Sequence, residues 1–394
     1  MSTSLSHWPM ELTEPEKVGL DGRRLGAVAR LMDSWVEEGL LAGGIVVVAR
    51  RGLIAYRKTF GWADRERRLP MRDDTLFRIY SMTKPITCAA TLMLYEEGHF
   101  LLDDPVKEFL PEFADVRVRV QGADGADELV RPRRAITIHD LLTHTSGLGF
   151  DLIWQAWKED WTTAEFVRRA AQWPLYFHPG EKWQYSFAHD VLGRLIEVIS
   201  GQSLDRFFEE RILAPLGMTD TFFHVPPDKR SRLAVLYTWE APGRLAVQAQ
   251  EDIPIDPPAP GAAHFLSGGG GLISSTSDYL RFGLMLLNDG VWDGVRLLSR
   301  KTVELMRTDH LPPGHPPIQP YKIGYGLGVS VLRSLGEKQG IGSVGEFGWG
   351  GAAATEAWMD PVEKMVTLVM LQLRNCPAPY TKKIKHAVYQ AIAD

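Results

Sequence analysis

Two short apolar runs, one near each end of the chain, constrain the fold more than anything between them. Gly44-Ile45-Val46-Val47-Val48-Ala49 is continuous and β-branched, and Met365 to Leu371 repeats that character close to the other end. Both are strand-sized and well short of the ~20 apolar residues that cross a bilayer. Arg51-Gly52 supplies a turn after the first run and Leu53 to Phe60 resumes as a second strand, a hairpin signal. Ahead of it, Asp21 to Leu40 reads as an amphipathic helix with Asp21 as N-cap and Leu25, Val28, Leu31, Met32, Trp35 and Val36 at helical spacing. The other end mirrors this. Thr355 to Met359 and Met365 to Leu373 flank an Asp360-Pro361-Val362-Glu363-Lys364 turn, and Lys382 to Ile392 is a last helix. Strands from both ends are therefore expected to complete one sheet, with the chain ends close together.

The middle reads differently. Met82 to Tyr95, Ile138 to Leu142, Thr163 to Gln172, His189 to Ile199 and Leu204 to Ile212 all have helical patterns. Glu108 to Arg134 is charged and glycine-bearing, more like a loop excursion than a strand, and Asp252 to Ala263 is a proline-rich connection. The run Ser267-Gly268-Gly269-Gly270-Gly271 leads into Leu272 to Ser275 and the helix Thr276 to Leu287. A loop from Pro312 to Pro320 precedes the strand-like Gly326 to Val329. The expected fold class is α/β: a mixed or antiparallel sheet flanked by N- and C-terminal helices, with a mostly helical domain inserted. The division expected is residues 1–85 with approximately 185–394 as the α/β part and approximately 86–184 as the helical part. The return point falls anywhere between about Tyr185 and Asp252.

The composition removes several functions. A chain of 394 residues with 45% hydrophobic and 24% charged residues is long enough for a sizeable core, as one or two domains. Its net charge of −5 lacks the basic surplus that a phosphate backbone demands, so no nucleic-acid partner is expected. Cys88 and Cys376 form neither a disulfide framework nor a thiolate metal site. The first residues show no basic-then-apolar secretory pattern, which leads to the expectation of a cytoplasmic protein without a membrane segment.

The chemistry concentrates at Phe77-Arg78-Ile79-Tyr80-Ser81-Met82-Thr83-Lys84-Pro85, which opens a helix stopped by Gly98. Ser81 and Lys84, three apart, share one helix face. A serine hydroxyl needs a neighbouring base, and a desolvated lysine can serve. The helix N-terminus favours negative charge developing at Ser81. Read alone, the tetrapeptide fits an N-cap serine with a surface lysine equally well. Two further blocks shift that balance: Leu141-Leu142-Thr143-His144-Thr145-Ser146-Gly147-Leu148, and Tyr185-Ser186 just past the His178-Pro179-Gly180 turn. Rival chemistries are weaker. Gly201-Gln202-Ser203-Leu204-Asp205 and Gly328-Val329-Ser330-Val331-Leu332 both lack the second glycine of a nucleophile elbow. His139, Asp140, His144, His189 and Asp190 lack a metal-ligand spacing and read as helix-end and core residues, with His144 ordering its turn. No metal and no cofactor is expected. The glycine run lacks the Gly-Lys-Ser/Thr ending of a phosphate loop and suits close backbone approach instead.

Ser81-Met82-Thr83-Lys84, the Leu-Leu-Thr-His-Thr-Ser-Gly-Leu block, Pro179-Gly180-Glu181 with Tyr185-Ser186, Pro215-Leu216-Gly217-Met218 and Trp349-Gly350-Gly351 occur in one order. Together they resemble the serine β-lactamase and penicillin-binding-protein superfamily, class C-like branch, and within it the family VIII carboxylesterases. The resemblance runs from about residue 14 to the C-terminus. It implies a β-lactamase-like fold with Ser81 as acyl-accepting nucleophile, Lys84 as its base and Tyr185 as the third catalytic residue. It also implies an oxyanion hole from the backbone N–H groups of Ser81 and Ala352, beside Trp349, Gly350 and Gly351.

Two departures qualify the substrate. The tyrosine motif is Tyr185-Ser186-Phe187 where the β-lactamases carry Tyr-x-Asn, and the third motif is Trp349-Gly350-Gly351 where they carry Lys-Thr-Gly. No amide and no cation then remain at those positions to grip a lactam side chain or carboxylate. The resemblance thus implies ester hydrolysis through a two-step acyl-enzyme, with short acyl chains, a small-molecule ester as partner and weak β-lactam opening at most. A lysine base implies activity falling at acidic pH. Acyl transfer to an alcohol, D-amino-acid peptidase action and a non-catalytic ligand binder are the alternatives. Oligomeric state is left open. Trp154, Trp157, Trp161, Trp173 and Trp183 cluster in the helical stretch, where core packing is the first expectation and an apolar pocket the second.

Overall fold

The computed structural model describes residues 8–122, 125–240, 243–249, 265–312, 314–376 and 378–394. The proline-rich connection from Asp252 to Ala263 lies outside the described residues. Helix α1 (Gly22–Glu37) is capped by Asp21, whose carboxylate accepts from the Arg24 N–H at 2.9 Å. Strands β1 (Gly43–Arg50), β2 (Leu53–Asp64) and β3 (Leu69–Pro70) follow, and the chain then leaves the sheet. Of the helical stretch, α2 (Thr83–Glu96), α3 (Ile138–Leu142) and α4 (Ala188–Ser200) build the site, and α5 (Thr276–Leu287) leads back to the sheet. Strands β4 (Gly324–Tyr325), β5 (Ser330–Val331), β6 (Phe347–Gly351), β7 (Thr355–Asp360) and β8 (Met365–Leu371) and helix α6 (Tyr380–Tyr389) complete the fold.

The sheet has eight strands in the order β4-β5-β6-β7-β8-β1-β2-β3, antiparallel throughout. β1 pairs with β8, Val47 opposite Leu368, so the two apolar runs meet at the centre. All eight residues of β1 are buried, which explains why the run is continuous and does not alternate. Val46 and Val48 face α1 and α6, while Ile45 and Val47 face the helical stretch. Each such side chain contributes about 1.5–3 kcal/mol through burial. The chain ends are adjacent as expected: Asp21 donates to the Ala391 carbonyl at 2.7 Å and Ala393 to that of Gly19 at 3.0 Å. The buried Arg50 guanidinium ties Val18, Glu363 and Asp394 together there.

Two expectations are corrected. The excursion between Glu108 and Arg134 contains a hairpin, Val118–Gln121 against Asp127–Val130, stitched to Leu175 on its other side. Its strands are four residues each, too short for their alternation to stand out among the charges. Gly326 to Val329 is the turn joining β4 to β5 and not a strand, with Gly328 at positive φ and the Gly326 N–H bonded to the Val329 carbonyl. Elsewhere the helices fall within a few residues of their sequence boundaries, except that Leu204 to Ile212 splits into an α-turn and a π-turn after Phe208.

Candidate active site

Ser81 lies in a short 3-10 turn, Tyr80–Met82, that feeds directly into α2. Tyr80 has φ +44°, an unfavourable conformation for an aromatic residue, and it sits immediately before the serine. A second turn is pressed against the first. A Cβ on Gly351 would lie 2.3 Å from the Ile79 carbonyl oxygen and 2.3 Å from Thr355 Oγ1, so only glycine lets the end of β6 come this close. The Gly351–Ala354 turn, closed by the Ala354 N–H on the Gly351 carbonyl at 3.1 Å, therefore stands beside the Ser81 turn, with Ala352 exposed at its tip.

Three of the expected residues converge on one oxygen. Tyr185 donates its hydroxyl proton to Ser81 Oγ at 2.7 Å, and Lys84 Nζ donates to the same atom at 3.3 Å. Lys84 is 1% exposed, and its Nζ also donates to the Gly269 carbonyl at 2.6 Å and lies 4.6 Å from the centre of the Tyr185 ring. Trp349 reaches the Tyr185 hydroxyl through a long 3.5 Å contact and stacks on its ring at 5.8 Å between centroids. Gly350 continues β6 between that tryptophan and Gly351, opposite Glu356.

The Leu-Leu-Thr-His-Thr-Ser-Gly-Leu block explains why Tyr185 is held there. α3 begins in a capping box between Thr137 and Asp140 and ends in a turn where His144 takes φ +58°. The His144 carbonyl accepts from the Gln184 N–H at 3.0 Å, and the Gly149 carbonyl from the Phe187 N–H at 3.0 Å. His144 Nδ1 is 3.0 Å from Ser186 Oγ. The block is a splint for the tyrosine segment, and the His144 side chain bonds to Ser186 of that segment where a bond to its own turn was expected. Burial, reinforced by the neighbouring His189 and Lys84, holds the His144 imidazole well below the usual range, and burial with Lys84 does the same to His189. Phe187 is buried edge-to-face on Phe166, so the third position of the tyrosine motif serves the core.

Aromatic rings pack around Tyr185, which donates to the serine. Phe150 stacks on Tyr185 at 5.7 Å, and Tyr325 and Tyr321 approach Trp349 at 5.2 and 6.5 Å. Of the five tryptophans in the helical stretch, Trp161 is buried and Trp157 and Trp183 are half-buried against core clusters, Trp183 with Tyr325 at 5.6 Å. Trp154 and Trp173 are exposed, so core packing accounts for three of the five. Sequence reasoning missed Phe150, Tyr325 and the Gly269 carbonyl. The glycine run was the available signal for the last, since a carbonyl reaches a buried lysine only where backbones approach closely. Among the described residues no group of three or more His, Cys, Asp or Glu side chains is placed to hold a metal ion, and no helix is long and apolar enough to cross a membrane.

The beta-lactamase family model matches residues 28–389. The chain belongs to the beta-lactamase family. It is 37% identical over 382 residues to protein Rv1367c of Mycobacterium tuberculosis, covering 91% of each chain. It is 34% identical over 412 residues to esterase EstB of Burkholderia gladioli, covering 95% of this chain and 98% of that one. Among solved structures, EstCE1, described as a hydrolase with promiscuous acyltransferase activity, superposes with a TM-score of 0.76 at 26% identity over 95% of this chain and 99% of its own. The family and the antiparallel, helix-flanked sheet agree with the resemblance drawn from the motifs.

Proposed function

We propose that this protein is a serine carboxylesterase that cleaves short-chain esters through an acyl-enzyme on Ser81. The observation that carries the reading is the convergence of Tyr185 OH and Lys84 Nζ on Ser81 Oγ at 2.7 and 3.3 Å. In the first step the Ser81 O–H bond breaks, its proton passes to a neutral Lys84 with Tyr185 assisting, and Oγ adds to the ester carbonyl. The backbone N–H groups of Ser81 and Ala352 hold the oxyanion, each such donor being worth about 2.7–4 kcal/mol. The alcohol leaves with a proton from the Tyr185–Lys84 pair, and water activated by the same pair releases the acid.

The lysine's partners suit this exchange. A serine or tyrosine hydroxyl donates or accepts, so the cluster stays hydrogen-bonded whichever group holds the proton. The rings of Trp349 and Phe150, stacked on Tyr185, offer apolar faces, which favours an uncharged acyl or alcohol group. The 34% identity to esterase EstB over nearly the whole chain supports the same activity. The site would lie between the two parts of the chain, residues 1–85 with approximately 185–394 and approximately 86–184, a division that belongs to the same proposal. A cytoplasmic setting fits two unpaired cysteines, Cys88 buried and Cys376 exposed.

The test is hydrolysis of p-nitrophenyl acetate, butyrate and octanoate by wild type and Ser81→Ala, with mass spectrometry of the quenched enzyme. Turnover of the short esters, an acyl adduct on the Ser81 peptide and background activity in the variant are expected. Equal activity in the two proteins would place the nucleophile elsewhere. Acyl transfer is the second reading, since the alcohol and water compete for one acyl-enzyme and EstCE1 combines both activities by its description. A product ester formed when an alcohol is added during turnover would reveal it.

A further inference from the structure

A buried ammonium is costly unless opposite charge or hydrogen bonds compensate it. The hydrogen-bond partners of Lys84, the Gly269 carbonyl at 2.6 Å and Ser81 Oγ at 3.3 Å, carry no formal charge. A carboxylate stands one residue behind them. Asp190, in the first turn of α4, is 1% exposed, and its Oδ1 accepts from Ser267 Oγ at 2.5 Å and from the Gly269 N–H at 3.0 Å. Two donors on one oxygen identify that oxygen as an acceptor. The segment is pressed onto α4: a Cβ on Gly269 would come within 2.5 Å of Asp190 Oδ2, and one on Gly268 within 2.6 Å of the His189 carbonyl. Gly269 is therefore gripped from both sides, its N–H by Asp190 and its carbonyl by Lys84.

We infer that Asp190 is a positioning residue for the reaction: through Gly269 it sets the carbonyl that aims Lys84 Nζ at Ser81, and its carboxylate is the negative charge that faces the proton once Lys84 has taken it. The inference rests on the reading of Lys84 as the base. The other titratable groups around the lysine leave that role to Asp190. Tyr185 donates to the serine. Burial pushes the Cys88 thiol up and the His144 and His189 imidazoles down, so all three face Lys84 uncharged. Burial also raises the Asp190 carboxyl, and the charge of Lys84 together with the two hydrogen bonds pulls it back.

The experiment compares kcat, KM and the pH profile for p-nitrophenyl butyrate among wild type, Lys84→Met, Asp190→Ala, Asp190→Asn and Ser267→Ala, with thermal melts alongside. Asp190→Ala is expected to lose kcat roughly 100-fold while KM stays within about threefold, since a small misplacement of a catalytic group costs that much. Asp190→Asn keeps the acceptor but not the charge. It should recover about tenfold of the loss, and the acid limb of its kcat/KM profile should move to lower pH by about one unit. Ser267→Ala should lose about threefold to fivefold in kcat, the cost of one hydrogen bond. Wild-type kcat in Asp190→Ala, or an Asp190→Asn indistinguishable from it with an unshifted acid limb, overturns the inference. Should Asp190→Ala not fold, wild-type kcat and an unshifted limb in both Asp190→Asn and Ser267→Ala overturn it equally. An active Lys84→Met breaks the underlying assignment of the base, whereas an inactive Lys84→Met with unaffected Asp190 variants breaks only the inference.

Discussion

Two lysines are buried on opposite faces of the sheet, and their surroundings differ. Lys385 of α6 pairs directly with Glu346, and the Tyr389 hydroxyl bridges Glu346 and Asp360, at 2.8 Å from the latter. Burial raises the Glu346 carboxyl and the adjacent Lys385 charge opposes this. That cluster ties the last helix to the start of β6 and has no access to a reacting group. Lys84 meets a hydroxyl, a carbonyl and an aromatic face, with its carboxylate held at one remove through Gly269. A direct ion pair locks a lysine as an ammonium, because losing the proton strands the carboxylate. A hydroxyl and a carbonyl accommodate either form of the amine. The same side chain is thus a fastening on one face of the sheet and, on the proposed mechanism, a proton carrier on the other.

Reciprocal substitutions test the contrast. Lys84→Met should lower kcat/KM by about 10⁴-fold, comparable to removing one member of a catalytic group that acts as a unit, with the melting temperature nearly unchanged. Tyr185→Phe keeps the stacked ring and loses the hydroxyl, for a fall of roughly 10²–10³-fold measured on the same ester. Lys385→Met should do the opposite of Lys84→Met. Leaving Glu346 buried and unpaired costs about 3–5 kcal/mol in denaturant unfolding, while activity per folded molecule stays near wild type. Comparable activity losses in the two lysine variants would erase the distinction.

A third buried charge sharpens it at the smaller end. Asp278 in α5 accepts from the Asp220 N–H at 2.7 Å and Thr221 Oγ1 at 2.9 Å, and burial pushes its carboxyl up to about 6. A folded value above the unfolded one means that the folded state binds the extra proton. Its ionisation therefore costs stability, absent below about pH 4 and complete above about pH 6. Asp278→Asn should gain on wild type by about 3 kcal/mol in unfolding free energy between pH 4 and pH 7. A difference that does not change with pH refutes this sign.

Much of the fold was legible because each end carries a run buried on both faces of a sheet, and such runs read the same in isolation as in place. The catalytic candidates were legible because Ser81 and Lys84 share one helical turn, so their proximity is a local consequence of spacing. The hairpin at Val118 escaped notice because four-residue strands carry too little alternation to register. Phe150 and Tyr325 escaped for another reason. Nothing in an aromatic residue's own neighbourhood says that a residue far along the chain will stack on it.

By itself, then, the sequence determined most of the longer elements, the meeting of the two ends, and the serine–lysine turn, all of which rest on local periodicity and steric preference. Tertiary structure decided the rest of the site. It brought Tyr185 onto Ser81 through the His144 splint, placed Gly351 against the Ile79 carbonyl, and set Gly269 between Asp190 and Lys84. These are contacts between residues up to 272 positions apart, as Ile79 and Gly351 are. Their geometry depends on how packed layers close over one core, and no window of sequence contains that information.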